Sequence, residues 1–448
     1  MFSFSPDKSK YLINMKRVLY EKLLEWKSDP KRKPLLLQGA RQVGKTYLIK
    51  AFGKAEYADY IYLNFEQNPN LASLFKDDLN PHKIIESIGL LYGRAILPEK
   101  TLIFFDEIQT TPEVLTSLKY FYEAAPEYYV ISAGSLLGVS MGKQTSFPVG
   151  KVNFMMMYPM SFSEYLIAFG EEMLLAKISQ LDPAEAFPEV LHEKLISRYK
   201  MYLYLGGMPE VLQDYLDNRD IVSVRKIQEE ILLAYYRDFS KYTEKSQAIK
   251  TSELWQSIPA QLARENKKFK YSDVRKGARA STYEQTIEWL KQAGLIHLSF
   301  QISTAKIPLS GYADHTKFKV FVFDTGLLGA MLKITSEIIL HPTALFSEYN
   351  GAFIENFVAC ELINSGYDNL YYWVSKSVAE VDFILQNGDK IFPLEVKSGL
   401  SKNKKSLISY NEKYHPETLF RCSPRNFTRD GDFINLPVYA AFLMKKQS

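Results

Sequence analysis

Residues 34–52, PLLLQGARQVGKTYLIKAF, constrain the fold more than any other stretch of the chain. Leu35, Leu36 and Leu37 read as a short buried strand, and Leu48, Ile49 and Phe52 recur at helical spacing. Between them lie Gly39, Ala40, Arg41, Gln42, Val43, Gly44, Lys45 and Thr46, the Gly-x-x-x-x-Gly-Lys-Thr spacing in its strand–loop–helix context. Glycine permits a tight backbone path whose N–H groups converge on an anion at the start of a helix. The pattern therefore predicts a nucleotide pocket over residues 39–47, closing at Tyr47. In it Lys45 reaches the β/γ-phosphates of ATP and the Thr46 hydroxyl binds Mg²⁺.

A second strand, Thr101-Leu-Ile-Phe-Phe, ends in Asp106 and Glu107. A carboxylate at that place suits Mg²⁺ binding by Asp106, and Glu107 is placed to activate the attacking water. The neighbouring glutamate favours hydrolysis over passive nucleotide binding. Tyr128-Tyr-Val-Ile-Ser-Ala-Gly-Ser135 reads as a third strand, with Ser135 the expected γ-phosphate sensor and Ser132 the alternative. Tyr60-Ile-Tyr-Leu-Asn-Phe is a further strand. Strands alternating with helices predict a largely parallel, helix-covered sheet with its ligand at the carboxyl ends.

At 448 residues the chain is long enough for several domains. Cys360 and Cys422 are its only cysteines, and its six histidines are scattered, which excludes a disulfide framework and a structural zinc site. No apolar run reaches membrane-spanning length, so the expectation is a cytoplasmic protein without a membrane partner. The net charge of +4 permits nucleic-acid binding without requiring it.

The middle of the chain is mainly helical. Ser161 and Glu164 form a capping-box pattern, and Leu205-Gly-Gly-Met-Pro209 interrupts the helices. Helical units beginning at Tyr271 and Ser281, a stop at Gly294 and a strand from Leu295 suggest a winged helix. Lys267, Lys268, Lys270, Arg275, Lys276 and Arg279 would suit phosphate contacts with DNA or another nucleic acid. A winged helix also serves as a docking module for a protein partner.

Near the end, Glu380-Val-Asp-Phe-Ile-Leu-Gln-Asn-Gly-Asp-Lys-Ile-Phe-Pro-Leu-Glu-Val-Lys397 reads as a hairpin about Asn387-Gly388. With those two residues as the loop, Asp382 faces Pro393 and Glu380 faces Glu395. Glu380, Asp382, Glu395 and Lys397 then share one face, and apolar residues line the other. Asp, a turn, then Glu-x-Lys is the arrangement of a metal-dependent nuclease. Asp382 and Glu395 would hold a second divalent cation, and Lys397 would position the nucleophile. Glu355, on a preceding helix, would add a further acid. The bland reading is a solvent-facing hairpin with a charged outer side.

With both sites in hand, the chain resembles a family of prokaryotic AAA-like P-loop ATPases. These carry a C-terminal domain of unknown function with a restriction-endonuclease-like, PD-(D/E)xK core. The matching stretches are LLLQGARQVGKT, LIFFDEIQ, VISAGS, YPMSFSEYL, YLGGMPEVL, YYRDFSKY, FIENFVACEL and EVDFILQNGDKIFPLEVKSG. The resemblance implies ATP binding and hydrolysis through Lys45, Thr46, Asp106 and Glu107. It also implies the nuclease-like constellation of Glu355, Asp382, Glu395 and Lys397. One departure is Gly150-Lys151, where the family pattern often places an arginine.

The expected architecture is an α/β multidomain protein. A P-loop NTPase domain with a parallel sheet spans 1–160, a helical subdomain 161–245, a winged-helix-like domain 246–334, and a restriction-endonuclease-like domain 335–448. Its function would be nucleotide-controlled. The alternatives are an ATP-dependent metal nuclease acting on DNA and a protein-interaction switch built on an inert nuclease fold.

Overall fold

The computed structural model describes residues 15–76, 78–134, 148, 150–182, 185–242, 245–264, 268–340, 347–375, 379–400 and 404–446. The chain divides into two units, Lys16–Tyr158 with Gln292–Gly294, and Pro159–Lys291 with the chain from Leu295 onward.

In the first unit, α1 (Leu19–Ser28) precedes β1 (Leu35–Gln38), α2 (Lys45–Glu56), β2 (Asp59–Asn64), α3 (Pro81–Tyr92), β3 (Thr101–Asp106), α4 (Pro112–Ala124), β4 (Tyr129–Gly134) and β5 (Asn153–Met156). The sheet order is β2-β3-β4-β1-β5, and every neighbouring pair is parallel. Parallel neighbours need crossover connections, which helices supply here. Burial on both faces explains why β3 reads as an unbroken apolar run, buried from Thr101 to Asp106. Phe65, Phe75, Phe105 and Phe121 fill one side of the core as edge-to-face rings, 5.5–6.0 Å apart. Because β4 lies between β1 and β3, the P-loop and Asp106 emerge at the same edge of the sheet.

The second unit begins with the helix Phe162–Ala168, capped as the sequence predicts by the reciprocal Ser161–Glu164 box. The helices Glu189–Leu205 and Pro209–Asn218 are separated at Gly206-Gly207 for a steric reason. A Cβ on Gly207 would sit 2.1 Å from the carbonyl oxygen of Met160, and Gly206 has φ +74°. Buried Asp324 accepts from the Gly207 N–H at 2.6 Å and from the Leu327 N–H at 2.8 Å. Burial pushes its carboxyl up to about 6, opposed by these N–H donors.

Helices Lys245–Leu262, Tyr271–Val274 and Ala280–Gln292 lead into β6 (Ile296–Ile302) and β7 (Ala313–Val322), which pair antiparallel. β6 also pairs with β8 (Leu370–Val374), and β8 with β9 (Glu380–Val381). Strands from 246–334 and from 335–448 thus share one sheet, ordered β7-β6-β8-β9. Asp382 separates β9 from β10 (Phe383–Asn387). With β11 (Lys390–Val396), β12 (Leu419–Ser423), β13 (Thr428–Asp430) and β14 (Phe433–Pro437), β10 forms a second sheet, ordered β10-β11-β12-β14-β13. The helix Ser347–Asn364 precedes β8, and the helix Lys405–Tyr414 connects β11 to its parallel neighbour β12. No helix among the described residues is long and apolar enough to cross a membrane.

The hairpin forms, but two residues out of the expected register. Asn387 pairs with Lys390 and Phe383 with Leu394, so the loop is Gly388-Asp389. Gly388, at φ +60°, takes the first loop position, where a two-residue turn can demand glycine. Glu380 pairs with Val374, not with Glu395. A shift of two keeps the alternation of faces. Nor is the hairpin solvent-facing. Ile384 packs with Leu407 and Tyr410 of the helix Lys405–Tyr414, and Phe383 and Leu394 are buried on the other face.

Asp324→Ala leaves two buried N–H groups without their acceptor, so it should cost about 2–5 kcal/mol. A lowered urea midpoint, with Asp324→Asn less affected, is the expected result; an unchanged midpoint would refute this role.

Candidate functional site

Three residues of the P-loop turn through left-handed or glycine-only backbone: Gly39 (φ +151°), Gln42 (φ +62°) and Gly44 (φ +97°). At Gly39 the need is absolute, since a Cβ would lie 2.2 Å from the Met157 carbonyl oxygen. Arg17 braces the loop from behind, donating to the carbonyls of Val43 at 2.9 Å and Tyr158 at 2.6 Å. Lys45 opens α2 and is buried; its Nζ donates to the carbonyls of Gly39 at 2.8 Å and Ala40 at 2.7 Å. Burial pulls its ammonium down to about 8, against the pull of the Glu107 and Asp106 carboxylates. Ala40 and Val43 are buried, Arg41 lies 3.5 Å from Glu66, and Tyr47 is exposed.

The Thr46 hydroxyl donates to Asp106 Oδ2 at 2.8 Å, joining the two oxygen donors that the sequence assigns to Mg²⁺. Two hard oxygen donors, the buried Asp106 carboxylate and the part-buried Thr46 hydroxyl, fit a divalent cation that takes its other ligands from phosphate and water. The Tyr62 hydroxyl donates to the same oxygen at 3.0 Å and accepts from Asn64 Nδ2 at 2.9 Å. Burial pushes the Asp106 carboxyl up, and the Thr46 and Tyr62 hydroxyls oppose this. Glu107 has φ +56°, a conformation that costs a non-glycine residue of order 1–3 kcal/mol. Its carboxylate accepts from Gln109 Nε2. Sequence reasoning missed Tyr62, Asn64 and Arg17; the alternation of Tyr62 and Asn64 along β2 was the available signal for the first two. Ser135 lies outside the described residues. Ser132 is buried, and its hydroxyl has no hydrogen-bond partner among them. Lys151 pairs with Glu123 at 3.1 Å.

Comparison with known proteins agrees with this geometry. Residues 31–166 match the family model described as an AAA domain. This segment carries a P-loop and is similar to an AAA domain. Residues 196–338 and 350–439 match two models described as domains of unknown function, DUF8612 and DUF4143. An uncharacterized protein of Methanocaldococcus jannaschii is 26% identical over 216 residues, which is 44% of this chain and 42% of the relative. The chain thus spans less than half the length of that relative. Among solved structures, a Walker-type ATPase of Pyrococcus abyssi is 15% identical with a TM-score of 0.42, over 73% of this chain and 95% of that one. The ORC1 protein of Aeropyrum pernix, in complex with DNA, is 13% identical with a TM-score of 0.29, over 74% and 93%. Scores this low leave the local geometry and the matched segment to identify the domain.

The C-terminal constellation differs from expectation in its cation. Lys319, on β7, places Nζ 2.8 Å from Glu355 Oε1, 2.5 Å from Glu380 Oε1 and 3.7 Å from Asp382 Oδ1. The lysine side chain is 0% exposed and that of Glu355 1%. Burial works against its charge, but the three carboxylates hold the ammonium well above its usual range. Asp382 Oδ2 also accepts from the Val396 N–H at 2.8 Å. Glu395 is buried and pairs with Lys397 at 2.8 Å, while its Oε2 has no partner among the described residues. Glu355 and Asp382 thus meet at Lys319, and Glu395 meets Lys397. Among the described residues no group of three or more His, Cys, Asp or Glu is arranged to hold a metal. Sequence reasoning missed Lys319, although a lysine inside the apolar run Phe318–Phe323 was its signal.

With the ammonium of Lys45 held down to about 8, a triphosphate restores its charge on binding. ATP binding should take up a proton increasingly from pH 8 to 9, and affinity should fall over that range. Calorimetry in buffers of different ionisation enthalpy checks this; the same uptake in Lys45→Met would refute it.

Proposed function

We propose that the chain binds ATP with Mg²⁺ at residues 39–47 and hydrolyses it, and that nucleotide state controls a C-terminal nuclease-like module. The observation that carries the first half is the Thr46–Asp106 contact beside Glu107, at the mouth of a P-loop. The loop N–H groups bind the phosphates, and Lys45 exchanges two neutral carbonyls for phosphate oxygens. Asp106 and Thr46 would hold Mg²⁺, which when bound neutralises phosphate charge. Glu107, fixed by its backbone and by Gln109, orients the attacking water and accepts its proton.

A restriction-endonuclease-like identity for the C-terminal part is supported by the order helix Ser347–Asn364, β8, β9/β10, β11, helix Lys405–Tyr414, β12, with Asp382 ahead of Glu395-x-Lys397. One observation favours an inert version over an active metal nuclease: the Lys319 ammonium already sits among Glu355, Glu380 and Asp382, where a metal would have to be held. The module would then bind DNA or a protein partner without cutting.

Glu107→Gln should retain ATP binding and lose about 10²–10³-fold in phosphate release, whereas Lys45→Ala should lose binding. Wild-type turnover by Glu107→Gln would overturn the hydrolysis mechanism. In Mn²⁺ titrations without nucleotide, Lys319→Met should gain a binding event that adding Glu355→Gln removes. Mn²⁺-dependent DNA cleavage by the unaltered chain, abolished in Asp382→Ala, would instead establish the nuclease.

A further inference from the structure

The edge strand β2 carries a chain of hydrogen bonds that ends on the carboxylate assigned to Mg²⁺. The chain starts in the turn after the strand. There Asn64 Oδ1 accepts from the Glu66 N–H at 3.0 Å and from the Gln67 N–H at 2.7 Å. Both donors need an oxygen, so they decide which end of the Asn64 amide faces them and leave its Nδ2 to point elsewhere. That Nδ2 donates to the Tyr62 hydroxyl at 2.9 Å. A phenol has one hydrogen to give. With Asn64 donating to its oxygen, that hydrogen goes to Asp106 Oδ2, 3.0 Å away. Two backbone N–H groups thus set the direction of every bond in the chain.

The ring of Tyr62 is held as well as its hydroxyl. The Lys50 ammonium lies 3.5 Å from the ring centroid, and Phe104, the partner of Tyr62 in register on β3, packs with its centroid 5.4 Å away. The strand itself is tied down. The Tyr60 carbonyl accepts from Arg94 at 3.0 Å, and the Tyr62 carbonyl accepts from the Tyr92 hydroxyl at 2.6 Å. Asp106 Oδ2 has a second donor in the Thr46 hydroxyl at 2.8 Å, and Oδ1 accepts from the Glu107 N–H at 3.1 Å. The two hydroxyls differ in what else they must do. A cation at the site claims the Thr46 oxygen, whereas Tyr62 has no task there but to donate to Asp106. Mg²⁺ demands near-ideal geometry, so a carboxylate that is aimed beforehand favours its binding. Ordinary edge-strand packing would use the ring of Tyr62 and have no need of a directed hydroxyl.

We infer that Tyr62 and Asn64 are positioning residues that hold the Asp106 carboxylate for the divalent cation, so that the Tyr62 hydroxyl sets how strongly the cation reinforces nucleotide binding. This rests on the reading of residues 39–47 as the nucleotide site. The measurement is the affinity of the full chain for ADP, by calorimetry, in EDTA and in saturating Mg²⁺. The ratio of the two affinities is the contribution of the cation. Tyr62→Phe, which keeps the ring, should leave the affinity in EDTA within about twofold and reduce the ratio about tenfold, the usual effect of removing a hydrogen bond to a metal-binding carboxylate. Asn64→Ala should also reduce the ratio, with its melting temperature checked in parallel. Adding it to Tyr62→Phe should reduce the ratio no further, because Asn64 acts through the hydroxyl. A ratio near one in the unaltered chain, an unchanged ratio in Tyr62→Phe, or equal loss of affinity with and without Mg²⁺ would overturn the positioning role and leave the nucleotide site standing. No binding of ADP by the unaltered chain in either condition would overturn the nucleotide site, and the positioning role with it.

Discussion

The second unit is organised around a buried ammonium. Lys319 comes from β7, Glu355 from the helix Ser347–Asn364, and Glu380 and Asp382 from the point where one extended stretch passes between two sheets. Burying carboxylates without a cation costs several kcal/mol per ion, and so does burying the lysine alone. Neither set of charges is tolerable without the other, so the three chain segments are required to meet. The break at Asp382 follows from the same arrangement. One of its carboxylate oxygens faces Lys319 and the other accepts from the Val396 N–H, which ties the sheets at their junction.

Two buried lysines, Lys45 and Lys319, show how partner choice separates a mobile group from a fixed one. Lys45 is held by two neutral carbonyl oxygens, which attract an ammonium but do not neutralise it. Burial lowers its proton affinity, against the pull of Glu107 and Asp106, and a phosphate that brings full negative charge can draw it away. Lys319 is held by ionised carboxylates and its proton affinity rises. At an effective dielectric of about 20, a charge pair near 4 Å is worth about 4 kcal/mol. An incoming ligand must exceed that attraction several times over to displace Lys319, whereas at Lys45 the direct hydrogen-bond acceptors to be replaced are neutral carbonyls.

What the sequence made legible follows the range of the constraint. The P-loop, the Asp106 strand and the Ser161–Glu164 cap are each specified within a few residues, and each forms where expected. The hairpin was legible in kind but not in register. Asn-Gly suits one two-residue turn and Gly-Asp another, and only pairing beyond the loop selects between them. Arg17 and Lys319 were not legible because their partners are remote: Tyr158 is 141 residues from Arg17, and Glu355 is 36 from Lys319. A charge inside an apolar strand says that a counter-charge exists without saying where.

The same reasoning bears on the chemistry open to the C-terminal centre. A centre that cuts phosphodiesters needs a cation with open coordination positions, which a metal has and an ammonium surrounded by carboxylates lacks. The Lys319 ammonium supplies one positive charge among three carboxylates and offers no such position.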